Sequence, residues 1–202
     1  MADPFPADEE FHESKISGKN YNQITIANRD FDSCIFLNCN MEETVFRSCC
    51  FCDCTFEGCN LDLAKFEHCR FQNTTFLKTR LVGIDWTALE LRKKELQLPF
   101  HFFQCKLSYG NFFECPLKGC TFSECLLQEA DFAEADLSKC NFQHSDLLKA
   151  RFLHTNLSDA DFSAAKNYDI NAANNVLKRT KFSLPEATAL LHSLDIILDE
   201  EG

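Results

Sequence analysis

The sequence predicts an all-β fold, a four-sided parallel β-solenoid, on three observations. Every fifth residue over most of the chain is apolar or aromatic, the identity of that residue recurs every twenty, and the residue two places before it is small. A helix repeats every ~3.6 residues and a strand every two. A period of five therefore requires each unit to turn the chain by a fixed angle and return an apolar side chain to a common axis. Four units per revolution then close one coil, and each face stacks like on like.

The chain has 202 residues, 45% of them hydrophobic and 12% aromatic, enough for a packed core and too apolar for disorder. Residues 1–10 carry four acids and no base, and read as an acidic disordered tail without the basic flank and apolar stretch of a secretory signal. A cytoplasmic location is expected, with no membrane-spanning segment.

The first solenoid segment spans 11–96. Phe11, Ile16, Tyr21, Ile26, Phe31, Phe36, Met41, Phe46, Phe51, Phe56, Leu61, Phe66, Phe71, Phe76, Leu81, Trp86, Leu91 and Leu96 share one phase. Its aromatic columns are Phe31, Phe51, Phe71 and Phe36, Phe56, Phe76. A phase break or loop follows at 97–101. The inward small position would receive Leu89 and then Lys94 across 87–101, and a lysine cannot sit in such a core unpaired. A tolerated insertion and a partner-contacting loop both fit this stretch. The second segment, 102–165, resumes one residue out of phase. It alternates Phe (Phe102, Phe112, Phe122, Phe132, Phe142, Phe152, Phe162) with Leu from Leu107 to Leu157. At the ~4.8 Å spacing of paired strands, the repeats make a rod of roughly 37 Å.

Eleven of the thirteen cysteines fall two residues before a central residue, where a small buried hydrophobe is needed. Packing accounts for them. Only Cys50 and Cys52 flank a central residue and point outward, so the sulfurs of Cys49, Cys50, Cys52 and Cys54 cannot converge on one tetrahedral zinc. His144 and His154 lie half a revolution apart. The sequence thus predicts no metal site, no cofactor and no catalytic set: the protein is not expected to be an enzyme.

The C-terminal segment, 166–202, is expected to be a helical cap that also dimerises the protein. Ser183 reads as an N-cap, with Pro185 in the first turn and Glu186 completing a capping box. Ala187, Leu190, Leu191 and Leu194 then form one apolar face, which Ile196, Ile197 and Leu198 extend beyond what one coil end can cover.

The net charge of -11 is concentrated at the ends. With the four acids of 1–10 and the four of 195–202 set aside, the body has 23 acids against 20 bases. Any charge-driven recognition must therefore rest on a patch. The candidate is an acidic ridge of Glu114, Glu124, Glu129, Asp131, Glu134, Asp136 and Asp146, which shares its stretch with only Lys118 and Lys139. Charged outward positions are ordinary on any soluble rod. Glu114 and Glu134 are distinctive because they stack one revolution apart, at an energetic cost.

Runs such as Ala130-Asp131-Phe132-Ala133-Glu134 and Ala135-Asp136-Leu137-Ser138-Lys139 resemble the pentapeptide repeat family, over about residues 11–165. The tail, Asn167-Tyr168-Asp169-Ile170, Lys178-Arg179, Phe182 to Ala187 and Ser193 to Ile196, is similar to the albicidin-resistance, microcin-immunity and Qnr branch. The resemblance implies a right-handed four-sided β-helix and a homodimeric rod that mimics duplex DNA. It further implies that such a rod binds DNA gyrase or topoisomerase IV and relieves poisoning, without contacting nucleic acid itself. The alternative is a structural protein–protein interaction module with a different partner, which the repeat alone equally permits.

Overall fold

A computed structural model describes residues 10–89, 100–194 and 196. The chain winds into an all-β parallel solenoid of about eight turns. Three-residue strands stack in register with a twenty-residue offset. Glu10–His12, Asp30–Asp32, Cys50–Cys52 and Arg70–Gln72 form the first face. The second face consists of Lys15–Ser17, Ile35–Leu37, Thr55–Glu57, Thr75–Leu77, His101–Phe103 and Thr121–Ser123. A third is held by single bridges from Asn20, Asn40 and Asn60 to Arg80, Lys106, Leu126, Asp146 and Lys166. The fourth begins with Thr25–Ala27, Val45–Arg47 and Lys65–Glu67.

The central residues fill the axis. Phe31, Phe51 and Phe71 stack at 5.0 and 4.8 Å, and Phe36, Phe56, Phe76, Phe102, Phe122, Phe142 and Phe162 make one continuous column with centroids 4.5 to 5.1 Å apart. The fourth face stacks Phe66, Trp86, Phe112, Phe132 and Phe152. All the predicted core phenylalanines are buried except Phe71, which is half-buried beside Phe100.

The position two before each central residue has a second requirement besides size. Its thiol or hydroxyl donates to the carbonyl of the central residue one coil back: Cys34 to Phe11, Cys54 to Phe31, Thr44 to Tyr21, Thr79 to Phe56, Ser145 to Phe122. Cys, Ser and Thr combine small volume with that donor, which satisfies a buried acceptor.

Each corner is turned by a residue with positive φ, two places after the central residue. Asn28, Ser33, Asn38, Glu43, Asp53, Asn73, Glu114, Glu134 and His154 all adopt it, between 47 and 60°. Where Asn or Asp precedes the central residue, its side chain usually accepts the N–H two positions on, as at Asn60, Asn111, Asp131, Asp136, Asn141 and Asp161. This Asx turn tightens the corner, and it dominates the second half, where most strands shrink to single bridges.

The register reveals the size of the phase break. Thr75 pairs with Thr55 on one side and with His101 on the other, an offset of 26 residues instead of 20. The offset is still 20 where Phe66 stacks on Trp86, so the six extra residues enter between Trp86 and Phe100. Leu89 and Phe100 are buried at either side of the excursion, in positions that elsewhere take a small side chain, and His101 already belongs to a strand. Leu91, Lys94 and Leu96 fall outside the described residues, as does the acidic segment before Glu10.

At the C-terminus a 3₁₀ helix runs from Glu186 to Leu194. Phe182 continues the aromatic column onto it, 5.3 Å from Phe162 and 5.5 Å from Tyr168, and Ser193 Oγ accepts the Ala172 N–H. Ser183 does not act as the predicted side-chain cap. Its hydroxyl accepts the Ala164 N–H at 3.1 Å, so the coil beneath has claimed it, and its carbonyl takes the Ala187 N–H.

Candidate functional site

The solenoid distributes the seven predicted ridge acids around its circumference, so they do not form one line. Glu114 and Glu134 occupy the same corner one coil apart, Glu129 the preceding corner, and Glu124 a more distant one. Asp131, Asp136 and Asp146 instead occupy positions before central residues, on three ladders. This division separates structural carboxylates from free ones.

The three aspartates are engaged by the fold. Asp131 bonds the Ala133 N–H and meets Arg151 of the next coil at 2.9 Å. Asp136 accepts from the Ser138 N–H and from Asn156 Nδ2. Asp146 takes bonds from Asn167, Gln128 and the Leu148 N–H. Burial alone would raise its carboxyl, but the donors outweigh it and hold the group below the usual carboxylate range. At Asp131 the next residue in the ladder is an arginine, so no like charge stacks on it from that coil.

The four glutamates project from exposed corners. Glu124 accepts from Gln104 Nε2 at 2.8 Å. Among the described residues, no side chain pairs with the carboxylates of Glu114, Glu129 or Glu134. Glu114 and Asp131 border an open groove of about 460 Å³ with Thr87, Leu89, Asn111, Phe113 and Cys115, next to the point where the six extra residues enter.

Cross-coil pairing recurs elsewhere: Arg47 with Glu67, Arg179 with Asp159, Lys181 with Asp161 and Arg80 with Asp62. Asp62 sits outside the apolar column yet is buried, held by Arg80 and the Val82 N–H. The sequence signal for these pairs is opposite charges about twenty residues apart.

The eleven inward cysteines are buried, and Cys50 and Cys52 are half-buried. Burial pushes the thiols of Cys54, Cys115 and Cys120 up to about 12. Cys52 rises to about 11 through desolvation and the adjacent Asp53. The three buried ones are resting thiols, in keeping with a packing role.

Of the predicted dimerisation residues, Ala187 and Leu190 are half-buried, Leu190 against the core of the solenoid. Leu191, Leu194 and Ile196 are 37, 50 and 50% exposed, and Leu184 adds a further exposed apolar side chain. Ile197 and Leu198 lie outside the described residues.

The profile described as a pentapeptide repeat region matches residues 29–98 and 115–189, most of the chain. The chain belongs to the pentapeptide repeat family. Like other pentapeptide repeat proteins, the chain is non-enzymatic. No curated protein sequence matches it. Among solved structures it is similar to two trypsin-treated variants of QnrB1, a plasmid-mediated fluoroquinolone resistance protein. One is 18% identical with a TM-score of 0.64, covering 95% of this chain and 92% of that one. The other is 20% identical with a TM-score of 0.62, covering 94% and 97%. At these identities the likeness is one of fold. No helix among the described residues is long and apolar enough to cross a membrane.

Proposed function

We propose that this pentapeptide repeat protein is a homodimeric DNA mimic that binds DNA gyrase or topoisomerase IV and protects the enzyme from an inhibitor or toxin. The observation that carries the reading is the set of corner carboxylates, Glu114, Glu129 and Glu134, that have no side-chain partner among the described residues, on a rod whose neighbouring acids are internally satisfied. A surface that grips phosphates with Lys and Arg recognises such groups without a pocket. The resemblance of the repeats and the tail to the Qnr branch supports the same partner, and the exposed Leu191, Leu194 and Ile196 supply an apolar face for a second copy.

The test is gyrase supercoiling with and without the protein, in the presence and absence of albicidin, microcin or a quinolone. Reversal of Glu114, Glu129 and Glu134 to Lys leaves the fold intact, since all three are exposed, and abolishes protection. Reversal of the exposed Glu13 and Glu43 with Glu57 has the smaller effect. If wild type gives no protection, or if both triple variants behave alike, the mimic reading fails and a module for another protein partner replaces it.

A further inference from the structure

The first face carries an outward ladder that packing does not require. The register sets His12, Asp32, Cys52 and Gln72 one above another, with Asp53 at the corner beside Cys52. We propose that Asp32, Cys52 and Asp53 form a site for a zinc-like divalent transition metal, bridging two successive coils.

The donor set and its spacing point to this class of ion. One ligand atom from each of the three residues lies within 4.8 Å of the others, the one such group of three among the described residues. Cys52 Sγ is 3.2 Å from Asp53 Oδ2. With metal–sulfur and metal–oxygen bonds of roughly 2.3 and 2.1 Å, a tetrahedral S–O edge is about 3.5 Å, so the thiol and carboxylate already span one edge. The carboxylates are oriented by neighbours: His12 Nδ1 lies 3.4 Å from Asp32 Oδ2, Ser33 Oγ donates to Asp32 Oδ1, and Asn73 Nδ2 donates to Asp53 Oδ1 at 2.6 Å, leaving Oδ2 for the ion. Partners of this kind fix ligand direction in metal sites generally. Metal binding replaces the Cys52 S–H bond by an S–metal bond, and the proton leaves to solvent. Three protein ligands on a half-exposed face leave a fourth position to water. The sulfur makes the site selective: Mg²⁺ and Ca²⁺ prefer all-oxygen shells, while a thiolate favours zinc and cobalt. The four-sulfur centre excluded from the sequence stays excluded, since Cys49 and Cys54 are buried; Cys52 finds oxygens instead.

The full-length protein, reduced with a phosphine and freed of metal with a chelator, is titrated with Co²⁺. One equivalent is expected to bind, with a thiolate-to-cobalt charge-transfer band, to be displaced by Zn²⁺ and to resist excess Mg²⁺ or Ca²⁺. Cys52→Ser abolishes the band, Asp32→Asn and Asp53→Asn each weaken binding about tenfold or more, and Cys50→Ser leaves it unchanged. Urea unfolding of each variant confirms that its solenoid is intact. Absence of stoichiometric binding by the wild type, persistence of the band in Cys52→Ser, or its loss in Cys50→Ser overturns the proposal. None of these readouts involves a topoisomerase, so the result is independent of the function proposed above.

Discussion

Replacing Phe51 by alanine tests whether the aromatic columns hold the coils together. The ring is fully buried, stacked between Phe31 at 5.0 Å and Phe71 at 4.8 Å, with edge contacts to Phe46 and Phe56 at 5.6 Å. Removing it forfeits about 2 kcal/mol of transfer free energy. A cavity on the order of 100 Å³, at ~24 cal/mol per Å³, adds about 2.4 kcal/mol, because coils above and below cannot collapse without breaking their own register. The sum, about 4 to 5 kcal/mol, lies at the upper end for Phe→Ala. Phe152 is the comparison: it has one stack, on Phe132 at 5.4 Å, and looser edge contacts at 6.5 and 6.1 Å, so its replacement should cost about 3 kcal/mol. Urea unfolding followed by circular dichroism, with the linear extrapolation, measures both. A loss below about 1 kcal/mol at Phe51, or a larger loss at Phe152 than at Phe51, refutes the column argument.

Four further outcomes follow from the structure. In the native protein a maleimide should label Cys50 and Cys52 alone, slowly at neutral pH because Cys52 titrates at about 11; mass spectrometry that finds many of the buried thiols modified rejects the packing account. The thiols of Cys54, Cys115 and Cys120 sit at about 12 when folded against an ordinary 9.0, so their contribution is complete below pH 9 and is lost as pH rises toward 12; a stability profile flat across that window contradicts it. Arg80→Met leaves the buried Asp62 carboxylate without its cation and should cost about 1 to 2 kcal/mol, discounted because the arginine is half exposed; an unchanged urea midpoint speaks against the pair. Leu191→Ser with Leu194→Ser should convert a dimer to monomer in light scattering, and a wild-type protein that is monomeric at micromolar concentration removes the dimer from the proposal.

The sequence disclosed the axis of the solenoid and little of its rim. Central residues and the small position obey a fixed period because they answer to one geometric demand, so Phe36 or Cys54 could be placed from spacing alone. Corners obey a conformational demand instead, a positive φ, which Asn38, Gly58 and Asn73 signal while Glu114 or His154 conceal it. The six extra residues looked like a slip of one because an added five-residue unit preserves the count of five; only pairing Thr75 with His101 exposes the true offset. Ser183 was misread as a cap because a local motif cannot reveal that Ala164, one coil away, competes for its hydroxyl. Likewise Asp131, Asp136 and Asp146 looked free because their partners are twenty or so residues distant.

Those partners decide what the proposed imitation of DNA can rest on. A duplex presents one charge per ~1.7 Å of axis, about six over two coils of ~4.8 Å. Over that height the solenoid offers three corner carboxylates without side-chain partners among the described residues, Glu114, Glu129 and Glu134, while the aspartates beside them are committed to turns and to cross-coil donors. Its field is therefore local and shorter in reach than that of the polymer, and specificity has to come from where the corners lie rather than from net charge. The solenoid supplies that placement rigidly: each corner is locked by the backbone bond of its own positive-φ residue to the next coil, Glu114 N–H to Ala133 and Glu134 N–H to Leu153. A corner glutamate thus gives a flexible side chain a fixed origin, and a partner that reads two stacked corners reads the coil spacing itself.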